Sequence, residues 1–235
     1  MTRIEDYADF LPVNMRRVWP HIAECAEKIG GVLMGGTAVA IHLRHRESED
    51  LDVMTLREFS GDAVMSRLMK SGAAVDVIEV AENMFHGFVD TVKVDVFRAL
   101  ESNGVRPSAM TWIAPPTTVS GMRVGSLPDL MAVKLDVIRF RAKLRDYIDL
   151  AAIDQSTACS LESGLGYYCQ KYGYDHPPRL LERIVELLDS PGTLPPDPAF
   201  DESAAESLAY LRSRVPALCT RLSEIRDMTL DTSED

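Results

Sequence analysis

Two aspartates, Asp50 and Asp52, flank a single leucine in the segment Glu49-Asp50-Leu51-Asp52-Val53-Met54. On an extended chain, residues i and i+2 share a face and lie about 6.6 Å apart along the strand. Two carboxylates held that close repel each other unless a cation lies between them, so the spacing suits a divalent ion. Upstream, Gly35-Gly36-Thr37 leads into Ala38-Val39-Ala40-Ile41, a short apolar run that reads as a helix. A helix start offers unpaired N–H groups and the positive end of its dipole to an anion such as phosphate. Without a Cβ at Gly35 or Gly36 the anion can approach the main chain, and the Thr37 hydroxyl adds a donor. Arg46 and Ser48, between the two segments, are candidates to hold a triphosphate or to shape the start of the strand. Oxygen ligands beside phosphate favour Mg2+, with Mn2+ as the alternative.

A third acid is sought in Thr91-Val92-Lys93-Val94-Asp95-Val96-Phe97, which alternates with period two. Its valines form one face, and Thr91, Lys93, Asp95 and Phe97 the other. If this strand lies beside Leu51–Met54, Asp95 joins Asp50 and Asp52 as a metal ligand. Asp76 and Asp90 compete for that place.

Five basic residues fall between Lys134 and Arg145, in a chain of net charge −11. On an unbroken helix Lys134, Arg141 and Arg145 lie within about 20° of one another. They would flank an apolar arc of Leu130, Val133, Val137 and Leu144, with Arg145 and Asp149 forming an i,i+4 pair. Such a stripe offers a site for triphosphate or an RNA backbone. His21, His42, His45, His86 and His176 show no ligand spacing, and no Ser-His-Asp arrangement or P-loop is present.

Positioning these groups requires a strand–turn–helix–strand unit. Residues 4–29 read as helical, with Pro20 starting a new helix, and Val32–Met34 as a buried strand. A helix over 37–43 and a strand over 51–54 follow. Then come a helix over 60–71, with Val64, Leu68 and Met69 as its inner face, and strands over 74–80 and 91–97. Residues 107–125 read as a linking segment with a hairpin around Gly121. Helices are expected over 128–154, 157–172, 178–189 and 201–225. The layout is α+β, with an α/β core over 1–125 and a helical domain over 126–235.

With 46% hydrophobic and 26% charged residues, the composition is that of a soluble globular protein. The acidity excludes a surface coated for nucleic acid, though not a local basic groove. No apolar run approaches the ~20 residues that span a bilayer. The N-terminus does not read as a signal peptide, and the four cysteines lack any C-x-x-C pairing. A reduced, cytoplasmic protein without a membrane partner is expected.

Three motifs stand in order: Gly35-Gly36-Thr37-Ala38, then Arg46-x-Ser48-x-Asp50-Leu51-Asp52, then Lys134 with Arg141-x-Lys143-x-Arg145-Asp146-x-x-Asp149-Leu150. As a set they resemble the AbiEii/AbiGii-type toxin nucleotidyltransferases of the DNA-polymerase-β-like superfamily, over roughly residues 30–155. The resemblance implies a small mixed sheet with helices and Mg2+-dependent transfer of a nucleotidyl group from an NTP. It also implies a toxin's role, with tRNA as acceptor and an antitoxin as partner. Gly36 and Thr37 would hold phosphate, Asp50 and Asp52 metal, and Lys134 the triphosphate, while Asp146 and Asp149 fall on the acids of the helical motif. Asp95 or Asp149 would help activate the acceptor hydroxyl. This chain has Gly-Gly-Thr where the family often has Gly-Ser or Gly-Gly-Ser, and the family's third acid varies. The alternatives are an antibiotic or protein acceptor, or a non-catalytic nucleotide-binding module.

Overall fold

The computed structural model describes residues 3–99, 111–141, 143–156, 158–172 and 178–231. Tail residues 232–235, His176 and the 107–110 part of the expected linking segment lie outside them. The chain forms two compact units, Met1–Ser126 and Leu127–Asp235. It is an α+β protein: a seven-stranded mixed sheet with helices, then a helical region.

In the first unit, a 3-10 turn over Ile4–Tyr7 precedes α1 (Val13–Ile29). Pro20 does not start a new helix; it lies inside α1, exposed, while Met15, Val18, Trp19, Ile22 and Ala26 are buried at 0–3%. Burial of that continuous apolar stripe outweighs the one main-chain hydrogen bond a proline removes. Gly30 (φ +66°) closes α1, and β1 (Val32–Met34) follows, fully buried. Next come α2 (Gly35–Leu43), β2 (Asp50–Thr55) and α3 (Gly61–Lys70), whose N-cap Ser60 accepts from the Ala63 amide. Val64 and Leu68 face inward as expected, but Met69 is 49% exposed.

The remaining strands are β3 (Val75–Ala81), β4 (Met84–Val89), β5 (Val92–Arg98), β6 (Thr117–Val119) and β7 (Met122–Val124), and the sheet order is β3-β4-β5-β2-β1-β7-β6. Strand β4 has no counterpart in the sequence reading. The β6–β7 hairpin turns at Gly121 as expected, yet it is part of the sheet rather than of a linker. Leu33 pairs with Val124 in parallel, and Trp19 Nε1–H donates to the Val119 carbonyl at 3.1 Å.

The second unit is all helix: α4 (Leu127–Phe140), α5 (Leu144–Gln155), α6 (Leu161–Tyr172), α7 (Pro178–Asp189) and α8 (Asp201–Asp231). One long helix was expected where α4 and α5 stand. Lys143, extended at φ −129°, ψ 130°, separates them. Leu144, Ile148 and Ala204 pack with Leu194, Phe200 and Leu208, joining α5 to α8. Among the described residues no helix is long and apolar enough to cross a membrane.

Candidate active site

The first candidate group is built where β1, α2 and β2 meet. β1 and β2 are antiparallel, with Met34 opposite Asp52, so the turn at Gly35 lies beside the Asp52 side chain. Gly35 has φ +68°, and a Cβ there would come within 2.0 Å of Asp52 Oδ2. A Cβ on Gly36 would meet Arg46 Nη2 at 2.2 Å and Ser48 Oγ at 3.3 Å. The glycine pair thus lets one carboxylate and one guanidinium lie over the start of α2. The N-cap residue, Met34, makes no side-chain cap, and a helix start favours an anion. Thr37 behaves differently from expectation. Its hydroxyl is 1% exposed, hydrogen-bonded to the Asp50 main-chain carbonyl and 2.8 Å from Ser48 Oγ. It braces the helix start against the strand, as does the buried Ser48.

The carboxylates are set by strand alternation. Leu51 and Val53 are fully buried, which turns Asp50 and Asp52 to the opposite, part-exposed face. β5 runs parallel to β2 with Asp50 opposite Lys93 and Asp52 opposite Asp95, and β4 places His86 opposite Asp95. One row across the sheet therefore reads His86, Asp95, Asp52; the next reads Lys93, Asp50. Both Asp95 oxygens are engaged: His86 Nδ1 hydrogen-bonds to Oδ1, and Lys93 Nζ donates to Oδ2 at 2.9 Å. Burial acts to lower the Lys93 pKa, but the hydrogen bond and charge of Asp95, with Asp50 and Asp52, outweigh it and hold the ammonium above its ordinary value.

Among the described residues no three His, Cys, Asp or Glu side chains come together as a metal-holding group. Asp95 stands in the register expected of it beside Asp52, its carboxylate hydrogen-bonded to His86 and Lys93, and one hydrogen bond on each oxygen leaves lone pairs over; Asp50 and Asp52 form the i, i+2 pair next to it. That pair still fits Mg2+, which binds through one or two carboxylates with phosphate oxygens completing its shell. The cradle that a Cβ on Gly35 or Gly36 would fill lies beside it.

The second unit carries its own charge cluster. Lys134, 4% exposed, donates to Asp146 Oδ1 at 2.7 Å and lies 2.5 Å from Asp149 Oδ2. Twelve residues of straight helix would separate Lys134 from Asp146 by about 18 Å, so the break before Leu144 is what brings them together. Burial opposes the charged form at both groups. Even so, Asp149 and Asp146 hold Lys134 above its usual value, and Lys134 and Arg141 hold Asp146 below its own. Arg141 Nε and Nη2 donate to Asp146 at 3.0 and 3.1 Å while half the side chain stays exposed.

The exposed stripe of Lys134, Arg141 and Arg145 therefore does not exist: Lys134 points into the core, and Val133 and Val137 are only half-buried. Arg145 pairs with Asp197 at 3.5 Å, whereas Asp149, 0% exposed, serves Lys134. A fully buried acid so held has no face for an acceptor hydroxyl.

Two residues of the sheet site were passed over in sequence. His86 looked bland because its strand was unrecognised, and Lys93 was read only as a place in an alternation. The signal for both lay in Phe85-x-Gly87-x-Val89, a period-two run whose three members are buried.

Comparison with known proteins gives one match to a family model, described as the nucleotidyl transferase AbiEii toxin of a type IV toxin–antitoxin system, over residues 21–213. No curated protein matches the chain. The solution structure of the antibiotic-resistance factor ANT(2'')-Ia is similar at 14% identity and a TM-score of 0.36, covering 90% of this chain and 96% of that one. That likeness is too slight to carry an argument.

Proposed function

The chain belongs to the AbiEii nucleotidyl transferase toxin family, and from that premise we propose that it moves an NMP from an NTP to a hydroxyl of tRNA, as the toxin of a toxin–antitoxin pair. The nucleotidyltransferase activity comes with the family; the acceptor, the metal and the antitoxin are the proposal. The observation that carries it is the Asp50–Asp52 pair beside a helix start opened by Gly35 and Gly36.

In this reading the triphosphate lies against the first amides of α2, with Arg46 across Gly36 neutralising phosphate charge. Asp50 and Asp52 would hold Mg2+, which when bound supplies positive charge to the phosphates. The acceptor oxygen attacks the α-phosphorus, the bond from that phosphorus to the β-bridging oxygen breaks, and pyrophosphate leaves. The hydroxyl proton passes to Asp95, whose carboxylate is fixed by His86 and Lys93. Rate enhancement comes from orientation and fixed charge. Within the helical unit, the half-exposed Arg141 guanidinium is held by buried Asp146, which Lys134 also contacts.

Incubation with α-labelled NTPs, Mg2+ and either total tRNA or an aminoglycoside tests the acceptor. Label on tRNA, with growth arrest on expression that Asp52→Asn abolishes, is the expected result. Label on the aminoglycoside alone, or arrest undiminished in Asp52→Asn, would overturn the reading.

A further inference from the structure

His86 stands directly opposite Asp95 on the antiparallel β4–β5 pair, and Asp95 stands directly opposite Asp52 on the parallel β5–β2 pair. All three share one face of the sheet. The side chains of His86 and Asp95 are 29% and 22% exposed, and one oxygen of the carboxylate accepts from the ring while the other accepts from Lys93. A carboxylate on a strand has two free torsions; a hydrogen bond at each oxygen removes that freedom. The strand is also fixed locally. Gly87, next to His86, admits no side chain, because a Cβ would meet the Asp76 carbonyl at 2.4 Å.

We propose that His86 is a positioning residue for nucleotidyl transfer: with Lys93 it clamps Asp95 so that the carboxylate lone pairs point at one place beside Asp52, where the acceptor hydroxyl gives up its proton. This rests on the transfer reaction proposed above. His86 acts through Asp95. The step stays balanced without it, since the proton moves from hydroxyl oxygen to Asp95 as the oxygen–phosphorus bond forms and pyrophosphate departs. What the histidine supplies is aim, and a misplacement of the order of 1 Å in such a group costs as much as about 100-fold in rate.

Two substitutions separate aim from bulk. His86→Asn keeps a donor near the Nδ1 position, whereas His86→Leu keeps volume and loses the donor. With α-labelled NTPs and total tRNA, the leucine variant is expected to lose about 10- to 100-fold in kcat. Its KM for NTP should stay within about twofold, its melting temperature should hold, and the asparagine variant should recover most of the loss. Equal kcat in wild type and His86→Leu, or a loss of kcat that follows a loss of melting temperature in both variants, would overturn the inference.

An NMR readout is independent of turnover. In 15N-labelled protein the His86 Nδ1 proton should resonate far downfield and vanish in Asp95→Ala. Its absence from the wild-type spectrum overturns the clamp whatever the activity. Its presence in a protein that transfers no label refutes the proposed reaction, and with it the purpose assigned to His86.

Discussion

Asp95 and Asp52 face each other across the parallel β2–β5 pair, in register, on neighbouring strands. Strands in a sheet lie about 4.8 Å apart, so two carboxylates in this relation repel each other unless each is compensated. The compensation is divided. Asp95 takes His86 and Lys93, and the Lys93 ammonium also feels the charges of Asp50 and Asp52; the proposed reaction assigns Asp52, with Asp50 two residues back, to the cation. A single cross-strand pair thus separates a group assigned to the proton from the groups assigned to the metal.

The two glycines of the cradle should respond differently to alanine. Gly35→Ala forces a side chain onto φ +68° and pushes it into the Asp52 carboxylate, so a loss of about 1–2 kcal/mol in urea unfolding is expected, with a loss of transfer. Gly36→Ala meets chiefly the end of the long Arg46 side chain, at 2.2 Å, and more loosely Ser48 Oγ at 3.3 Å. Stability should hold within about 0.5 kcal/mol while KM for NTP rises. Identical behaviour of the two variants would contradict the geometry.

Lys134→Met leaves Asp146 and Asp149 buried side by side. Breaking a buried ion pair in this way costs about 3–5 kcal/mol, measured as a fall in urea midpoint at pH 7. The pH dependence follows from the two displaced groups. Asp146, held below its ordinary value of 3.8, contributes stability present above that value and lost as pH falls through its folded pKa. Lys134, held above 10.5, contributes stability present below that value and lost as pH rises through its folded pKa. The gap between wild type and Lys134→Met should therefore be widest near neutrality and narrow toward acid. A gap as wide at pH 3 as at pH 7 would contradict this.

Tyr147 is 1% exposed, and its buried hydroxyl has no hydrogen-bond partner among the described residues. Burial, the leading cause, pushes the phenol up to about 12. Removing an unsatisfied buried hydroxyl while keeping the ring should be neutral or stabilising by up to about 1 kcal/mol. A thermal melt of Tyr147→Phe more than a few degrees below wild type would mean that the hydroxyl is satisfied after all.

What the sequence told, it told through local periodicity. The alternation of Val92, Val94 and Val96 against Lys93 and Asp95 is reproduced residue for residue in burial, and the strand–turn–helix around Gly35 follows from residue type alone. The misreadings arose where tertiary contacts override local preference. Pro20 stays inside α1 because the stripe around it is buried. The 134–149 segment breaks because Lys134 needs Asp146 and Asp149 at close range, a demand invisible to a helical wheel. β4 escaped notice because Gly87 and His86 are poor strand formers, and Gly87 is there to clear the Asp76 carbonyl rather than to favour extension. Missing β4 hid the partner of Asp95.

The most direct measurement is transfer of label from α-labelled NTP to tRNA in the presence of Mg2+, comparing wild type with Asp52→Asn. A carboxylate that carries the cation should cost about 100- to 1000-fold in rate when neutralised, with the variant folded and melting within a few degrees of wild type. A folded Asp52→Asn that labels tRNA at the wild-type rate would contradict the account.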